Sequence, residues 1–196
     1  FRRPAEVVAR ELLGSILISR LGGAEVRGVI VETEAYLGYD DPASHAYRGR
    51  RHAGNLGIYS PPGHWYVYRS YGIHWCANLV TGAPAPGGAV LLRAVMLTDG
   101  LEVARLRRNH VADRILADGP GKLCQALGID RSLDAKPMAT SPVVVSRGSA
   151  DHRVAVTPRI GITKAVDWPL RFVIVKNETG AASSRPRSNR ASRGAQ

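Results

Sequence analysis

Cysteine is scarce: Cys76 and Cys124 are the only two in 196 residues, and they form no CxxC pair. That excludes a disulfide framework, an iron–sulfur cluster and a thiolate zinc site. Two isolated cysteines suit a reducing compartment, where they act as small apolar residues. The histidines (His45, His52, His64, His74, His110 and His152) fall into no HExxH or other spaced metal motif. No metal and no cofactor is expected. No apolar run is long enough to span a bilayer, and no signal-like apolar stretch opens the sequence as given. The expected setting has no membrane partner: the cytoplasm or nucleoid of a bacterium, preferred here, or the nucleus of a eukaryote.

Acid is also in short supply, with 16 Asp and Glu against 27 Lys and Arg, a net charge of +11. Such an excess favours a densely anionic partner, nucleic acid before membrane. The stretch after Gly180 carries four arginines and no acid, and without it the charge is still +7. Hydrophobic residues make up 44% of the chain, enough for a real core. We expect a domain over residues 1–180 and a basic, disordered tail over 181–196.

Pro4 can open a short amphipathic helix running to Leu13 and ended by Gly14. Strands are expected over Ile16–Ser19 and Val26–Tyr36, joined around Gly22-Gly23. Alternation along the second puts Ile30, Glu32, Glu34 and Tyr36 on one face. A loop rich in Gly, Pro, Arg and His follows, from Leu37 to about Gly63; loops of that length are functional or disordered. His64–Tyr68 and His74–Val80 read as strands around a turn at Ser70-Tyr71-Gly72, and Ala89–Leu97 as another. Asp99, with Glu102 three residues on, has the form of a capping box for a helix to about Asn109. Gly119-Pro120-Gly121 opens a second helix, Lys122–Leu127, stopped by Gly128. Late strands are expected over Val143–Ser146, Val154–Val156 and Leu170–Val175. The fold class is α+β: a single mixed domain on a curved antiparallel β-sheet with a few surrounding helices.

Four constellations carry chemical potential. Glu34 and Tyr36 project from one strand face, a carboxylate able to activate water beside a ring able to stack on a flat ligand. A solvated sheet face explains the same pattern. Between Trp65 and Trp75, three tyrosines are interleaved with Arg69, and Tyr71 falls at a tight turn, where an exposed ring can wedge between stacked bases. Plain β-propensity is the alternative. Arg93 interrupts an apolar strand, so if buried it needs a carboxylate or phosphate partner, for which Glu34 is a candidate; an edge-strand arginine pointing to solvent is the alternative. Gly119-Pro120-Gly121-Lys122 at a helix start offers backbone N–H groups and a cation to a phosphate, with a plain tight turn as the alternative. It lacks the spacing of a nucleotide-binding P-loop.

Together these stretches resemble the alkyladenine (3-methyladenine) DNA glycosylase family. The matching pieces are Glu-Thr-Glu-Ala-Tyr-Leu-Gly, Ala-Ser-His-Ala-Tyr-Arg-Gly-Arg and Pro-Gly-His-Trp-Tyr-Val-Tyr-Arg-Ser-Tyr-Gly-Ile-His-Trp-Cys-Ala-Asn. Val-Leu-Leu-Arg-Ala, Gly-Pro-Gly-Lys-Leu-Cys-Gln-Ala-Leu-Gly-Ile, Pro-Arg-Ile-Gly-Ile and Pro-Leu-Arg-Phe follow in the same order. The resemblance implies a monomeric, monofunctional enzyme that flips alkylated or deaminated purines (the 3-methyladenine and hypoxanthine class) from duplex DNA. It would hydrolyse the N-glycosidic bond with a Glu-activated water. Glu34 matches the general base, Arg93 the arginine that positions it, and the carbonyl of Ile160 a further ligand of the water. Tyr36, His45 and Tyr68 match the walls of the base pocket, and Asn78 the residue that disfavours undamaged guanine. Tyr71 matches the residue inserted into the duplex, and Arg50 and Lys122 residues near the DNA backbone.

The chain departs from the family at Gly54, where an arginine is usual, and at Arg69 and Ser70, which replace apolar residues seen in some relatives. A binding module for damaged DNA or RNA, keeping the fold without the catalysis, is the alternative reading.

Overall fold

The computed structural model describes residues 1–82 and 87–175. Expectations about the tail over 181–196 therefore lie outside the described residues. Within them the chain forms three α-helices and an eight-stranded antiparallel sheet. The strands are β1 (Ile16–Ser19), β2 (Val26–Tyr36), β3 (Trp65–Ser70), β4 (His74–Thr81), β5 (Gly88–Asp99), β6 (Val143–Ser146), β7 (Arg153–Thr157) and β8 (Arg171–Val175). Their order is β3-β4-β5-β2-β1-β6, with β8 on β2 and β7 on β8. Every pairing is antiparallel. One edge of β2 is shared: its first residues pair with β1, while Glu32–Glu34 pair with β8. The sheet therefore forks and curls, in keeping with the curved antiparallel sheet expected of this α+β domain.

One side of the sheet holds the main core. Helix α1 (Ala5–Leu12) buries Ala5, Val8, Ala9 and Leu12, the i, i+3, i+4, i+7 stripe of a helix lying on a core. Helix α3 (Pro120–Leu127) buries Leu123, Cys124, Ala126 and Leu127 and closes on Gly128 at φ 71°, a left-handed cap that glycine adopts without strain. These side chains meet Trp65, Val67, Ala77, Leu79, Val90 and Leu92 from the strands. A side chain the size of leucine, fully buried, contributes about 1.5–3 kcal/mol. The opposite face carries a smaller cluster of Ala46, Ile58, Tyr66, Val80 and Ala89.

Two expectations need correction. Asp99 does not cap a helix: it ends β5, Gly100 takes the N-cap position at φ 73°, and α2 runs only over Leu101–Arg107. Glu102 pairs with Arg105 instead of reaching back to the cap. Nor does Ile30 share a face with Glu32 and Glu34. The pairing steps from Ile30–Val95 to Glu32–Ala94 to Thr33–Leu92, so Val31 and Arg93 have no opposite number. This pair of bulges reverses the alternation in both strands at one level. Val26 and Ile30 lie in the core before it and Ala35 after it; Val95 and Val90, Leu92 do the same in β5. The reversal aims Glu32, Glu34, Tyr36 and Arg93 away from the helices.

The long loop is ordered. Asn55, with no exposed surface, donates to the carbonyls of His45 and Arg50 and accepts from the His52 amide. Asp41 accepts from the amides of Leu37 and Ala43. Short 3₁₀ turns at Gly38–Asp40, Tyr47–Gly49 and Leu56–Tyr59 fold the segment over the sheet.

Candidate active site

Strand register assembles the site. Tyr66 lies opposite Asn78, Asn78 opposite Leu91, Leu91 opposite Glu34, and Glu34 opposite Arg171. Directly opposed residues in such a row stand about 5 Å apart, so one cross-sheet line runs from an aromatic wall to a carboxylate. Tyr68 and Cys76 form the next rung on one side, and Tyr36 and Ala89 on the other. A cleft of about 830 Å³ opens on this face. Its lining includes Tyr36, His45, Arg50, Tyr68, Tyr71, Asn78, Arg93 and Ile160, which covers most of the residues singled out in the sequence.

Glu34 is wholly buried at the base of the cleft and contributes no surface to it. Its carboxylate is instead held by three groups of the wall. The Tyr36 hydroxyl donates to Oε2 at 3.0 Å, the Ile160 amide to Oε1 at 2.7 Å, and Arg93 Nη1 lies 3.3 Å from Oε2. Burial pushes the Glu34 carboxyl above its ordinary value of 4.5, against the downward pull of Arg93, the Ile160 amide, Tyr36 and Arg159. Burial, and then the carboxylate beside it, also raises the Tyr36 phenol, which therefore stays a donor.

Arg93, its side chain 13% exposed, has the carboxylate partner that its apolar neighbours called for, and a second one. Nε donates to Glu32 at 2.8 Å while Nη1 faces Glu34. Glu32 also accepts from Arg171 Nε at 2.6 Å. Burial favours loss of the Arg93 proton, but Glu34 and Glu32 outweigh it and raise the pKa. Glu32, readable in the sequence as a solvated face residue, thus fixes the arginine from behind. At Ile160 the N–H contacts Glu34, a role separate from the one the resemblance implied, in which the carbonyl is a ligand of the water.

The aromatic wall is packed from within. His45 and Tyr68 meet edge to face, centroids 4.4 Å apart, and Tyr68 stacks on Tyr66 at 5.3 Å. His45 Nδ1 lies 2.6 Å from the Tyr66 hydroxyl. Burial, then His52 and Arg50, lowers the imidazole pKa, so His45 stays neutral near pH 7. Asn78 donates its amide to the Tyr66 carbonyl at 3.1 Å, which orients the side chain.

The rim carries the charge. Tyr71 is 88% exposed and sits at φ 50° beside Gly72 at φ 68°. The turn is closed by the Ile73 amide on the Ser70 carbonyl. Positive φ at both central positions is what a tight hairpin turn demands; holding a tyrosine there stores strain. Arg50, Arg69, Arg131 and Lys164 line the mouth; sequence reasoning passed over Arg131 and Lys164. Lys122 is not in the wall: its ammonium pairs with Asp118 at 2.9 Å, and Pro120 of the same turn reaches the cleft instead.

Comparison with known proteins decides the family. The family model for methylpurine-DNA glycosylase (MPG) matches residues 1–178. The chain belongs to the methylpurine-DNA glycosylase family. It is therefore a DNA glycosylase, an enzyme of DNA repair with DNA as its substrate. A protein of Granulibacter bethesdensis named "Putative 3-methyladenine DNA glycosylase" is 47% identical over 96% of this chain and 89% of its own length. One of the same name from Agrobacterium fabrum is 47% identical over 88% of this chain and 84% of its own. The "DNA-3-methyladenine glycosylase" of Mus musculus is 42% identical over 89% of this chain, which spans 57% of the mouse protein. Among the described residues, no helix is long and apolar enough to cross a membrane.

Proposed function

We propose that this glycosylase removes alkylated and deaminated purines, of the 3-methyladenine and hypoxanthine class, from duplex DNA by flipping them into the cleft. The observation that carries the reading is the setting of Glu34: a buried carboxylate whose three donors all belong to the walls of a cleft bordered by aromatic rings.

The flipped purine enters between Tyr36 on one side and His45 with Tyr68 on the other. N-alkylated purines are cationic and flat, which suits electron-rich rings and makes them good leaving groups. Glu34 has no exposed surface in the free protein, so the wall groups over it part to admit a water when the nucleotide enters. Glu34 then takes a proton from that water as its oxygen bonds to the sugar carbon. The glycosidic bond breaks with its electron pair going to the purine, and an abasic site remains. The developing positive charge on the sugar is stabilised by the same carboxylate. Arg93 keeps Glu34 ionised and aimed, and the Ile160 carbonyl holds the water. Asn78 crowds the exocyclic amino group of undamaged guanine. Tyr71, strained and exposed, fills the gap left in the duplex; flipping costs a few kcal/mol, least at a damaged pair. Arg50 meets a backbone phosphate from the rim, and Lys122 another from outside the cleft, in exchange for its pair with Asp118.

The test is a duplex carrying one hypoxanthine, incubated with the protein and then treated with alkali. Strand scission marks base loss, and Glu34→Gln should abolish it while retaining the bound complex. Scission undiminished in that variant removes Glu34 from the chemistry. A panel of 3-methyladenine, 7-methylguanine, hypoxanthine and ethenoadenine then ranks the lesions.

A further inference from the structure

Arg159 and Asp41 form an ion pair with no exposed side-chain surface on either partner. Arg159 Nη2 donates to Asp41 Oδ1 at 2.9 Å, and Nη1 serves both Asp41 Oδ2 and the Ala35 carbonyl, the latter at 3.0 Å. Asp41 accepts two further amides, from Leu37 and Ala43, so its carboxylate is saturated. The guanidinium lies against the ring of Tyr36, 4.6 Å from its centroid. The next residue along the chain is Ile160, whose amide is on Glu34.

A buried ion pair is a poor device for stability alone, since apolar residues of equal volume serve as well. This one even leaves Arg159 Nε without a partner among the described residues. What the planar, forked guanidinium supplies is direction. It joins the end of β2, the loop that carries His45 and the segment that carries Ile160 into one rigid frame.

We propose that Arg159, clamped by Asp41, is a positioning residue for base excision: it backs the Tyr36 ring and sets the Ile160 amide on Glu34. The inference rests on the mechanism proposed above. It predicts that wall and carboxylate move together when the clamp is loosened, a displacement of ångström size at the reacting groups.

Arg159→Lys keeps the charge and loses the fork; Arg159→Met loses both; Asp41→Asn keeps the shape and loses the counter-charge. Each is assayed by thermal melting, by binding to undamaged duplex, and by single-turnover excision of hypoxanthine across pH. Arg159→Lys should slow excision by about 100-fold, the scale of a small misplacement at a reacting centre. Its duplex binding should stay within about two-fold, since no rim cation is lost. Its acid limb should not move. In Arg159→Met the limb should move to higher pH as well, because one of the cations facing Glu34 is gone. The other groups around that carboxylate are unchanged: Arg93 from β5, Cys76 from β4, Arg171 from β8, and Glu32 and Tyr36 from its own strand.

Asp41→Asn should fall between wild type and Arg159→Lys in rate. Wild-type rates in a folded Arg159→Lys overturn the proposal. So does a loss of cooperative melting in all three variants, which would make the pair a folding element only. The underlying mechanism fails separately, if Glu34→Gln excises as fast as the wild type.

Discussion

The hydroxyl of Tyr36 donates to the carboxylate of Glu34, two residues back on the same strand and 3.0 Å away. One side chain therefore serves both as a wall for the base and as a donor that holds the acid ionised.

Tyr36→Phe separates the two roles. The ring remains and its hydroxyl is spent on Glu34 rather than on the base. Damaged duplex should therefore bind within about three-fold of wild type, well short of the roughly 10-fold that a lost contact worth about 1.5 kcal/mol would give. Loss of the donor raises the Glu34 pKa further. The acid limb of a single-turnover profile should move to higher pH, and an unmoved limb would mean the hydroxyl does not govern that ionisation.

Glu34 should also leave a mark on stability. Its folded pKa lies above the unfolded value, so the native state binds the extra proton, and its contribution is present below the unfolded pKa and lost as pH rises through the folded one. Melting temperature should decline over that window, from about pH 4.5 upward. In Glu34→Gln that component of the slope should vanish; an identical slope in both proteins would place the titration elsewhere.

Glu32 never borders the base, yet it holds Arg93 at Nε. Glu32→Gln should lower the excision rate by about 10-fold through misorientation of the arginine, with lesion binding unchanged. A parallel loss of binding would show that Glu32 shapes the cleft itself.

Tyr71→Gly should raise stability by about 1 kcal/mol, relieving positive φ at a residue with a Cβ. Calorimetry checks that. The same variant should hold the flipped state less well, read as faster release of damaged duplex. A protein that melts lower would show that the chain entropy added by glycine outweighs the strain relieved.

Arg50→Ala tests the rim. It should weaken binding to every duplex alike and reduce the slope of log K against log salt by about one phosphate contact, roughly 0.9. Discrimination among lesions should survive.

The sequence disclosed elements whose cause is local and missed those whose cause is distant. Helix α1 and the β3–β4 hairpin follow from periodicity and a Tyr-Gly turn. Glu34 and Tyr36 share a face by simple alternation, and Arg93 announced its need for a carboxylate by its apolar neighbours. The cap expected at Asp99 failed because β5 extends to that residue and Gly100 makes the turn in a left-handed conformation. Asp41 and Arg159 lie 118 residues apart, so only tertiary packing brings them together. Arg159 stood inside a recognised motif, Pro-Arg-Ile-Gly-Ile, without a role to distinguish it from its neighbours.

The coincident bulges at Val31 and Arg93 constrain how this protein can evolve or be redesigned. Deleting a single residue near either one would send the acid toward the helix layer or strand its arginine on the wrong side. Length changes at this level are tolerable only in matched pairs, one in each strand. Lineages descending from this chain should accordingly vary in length in their loops and keep a fixed count here.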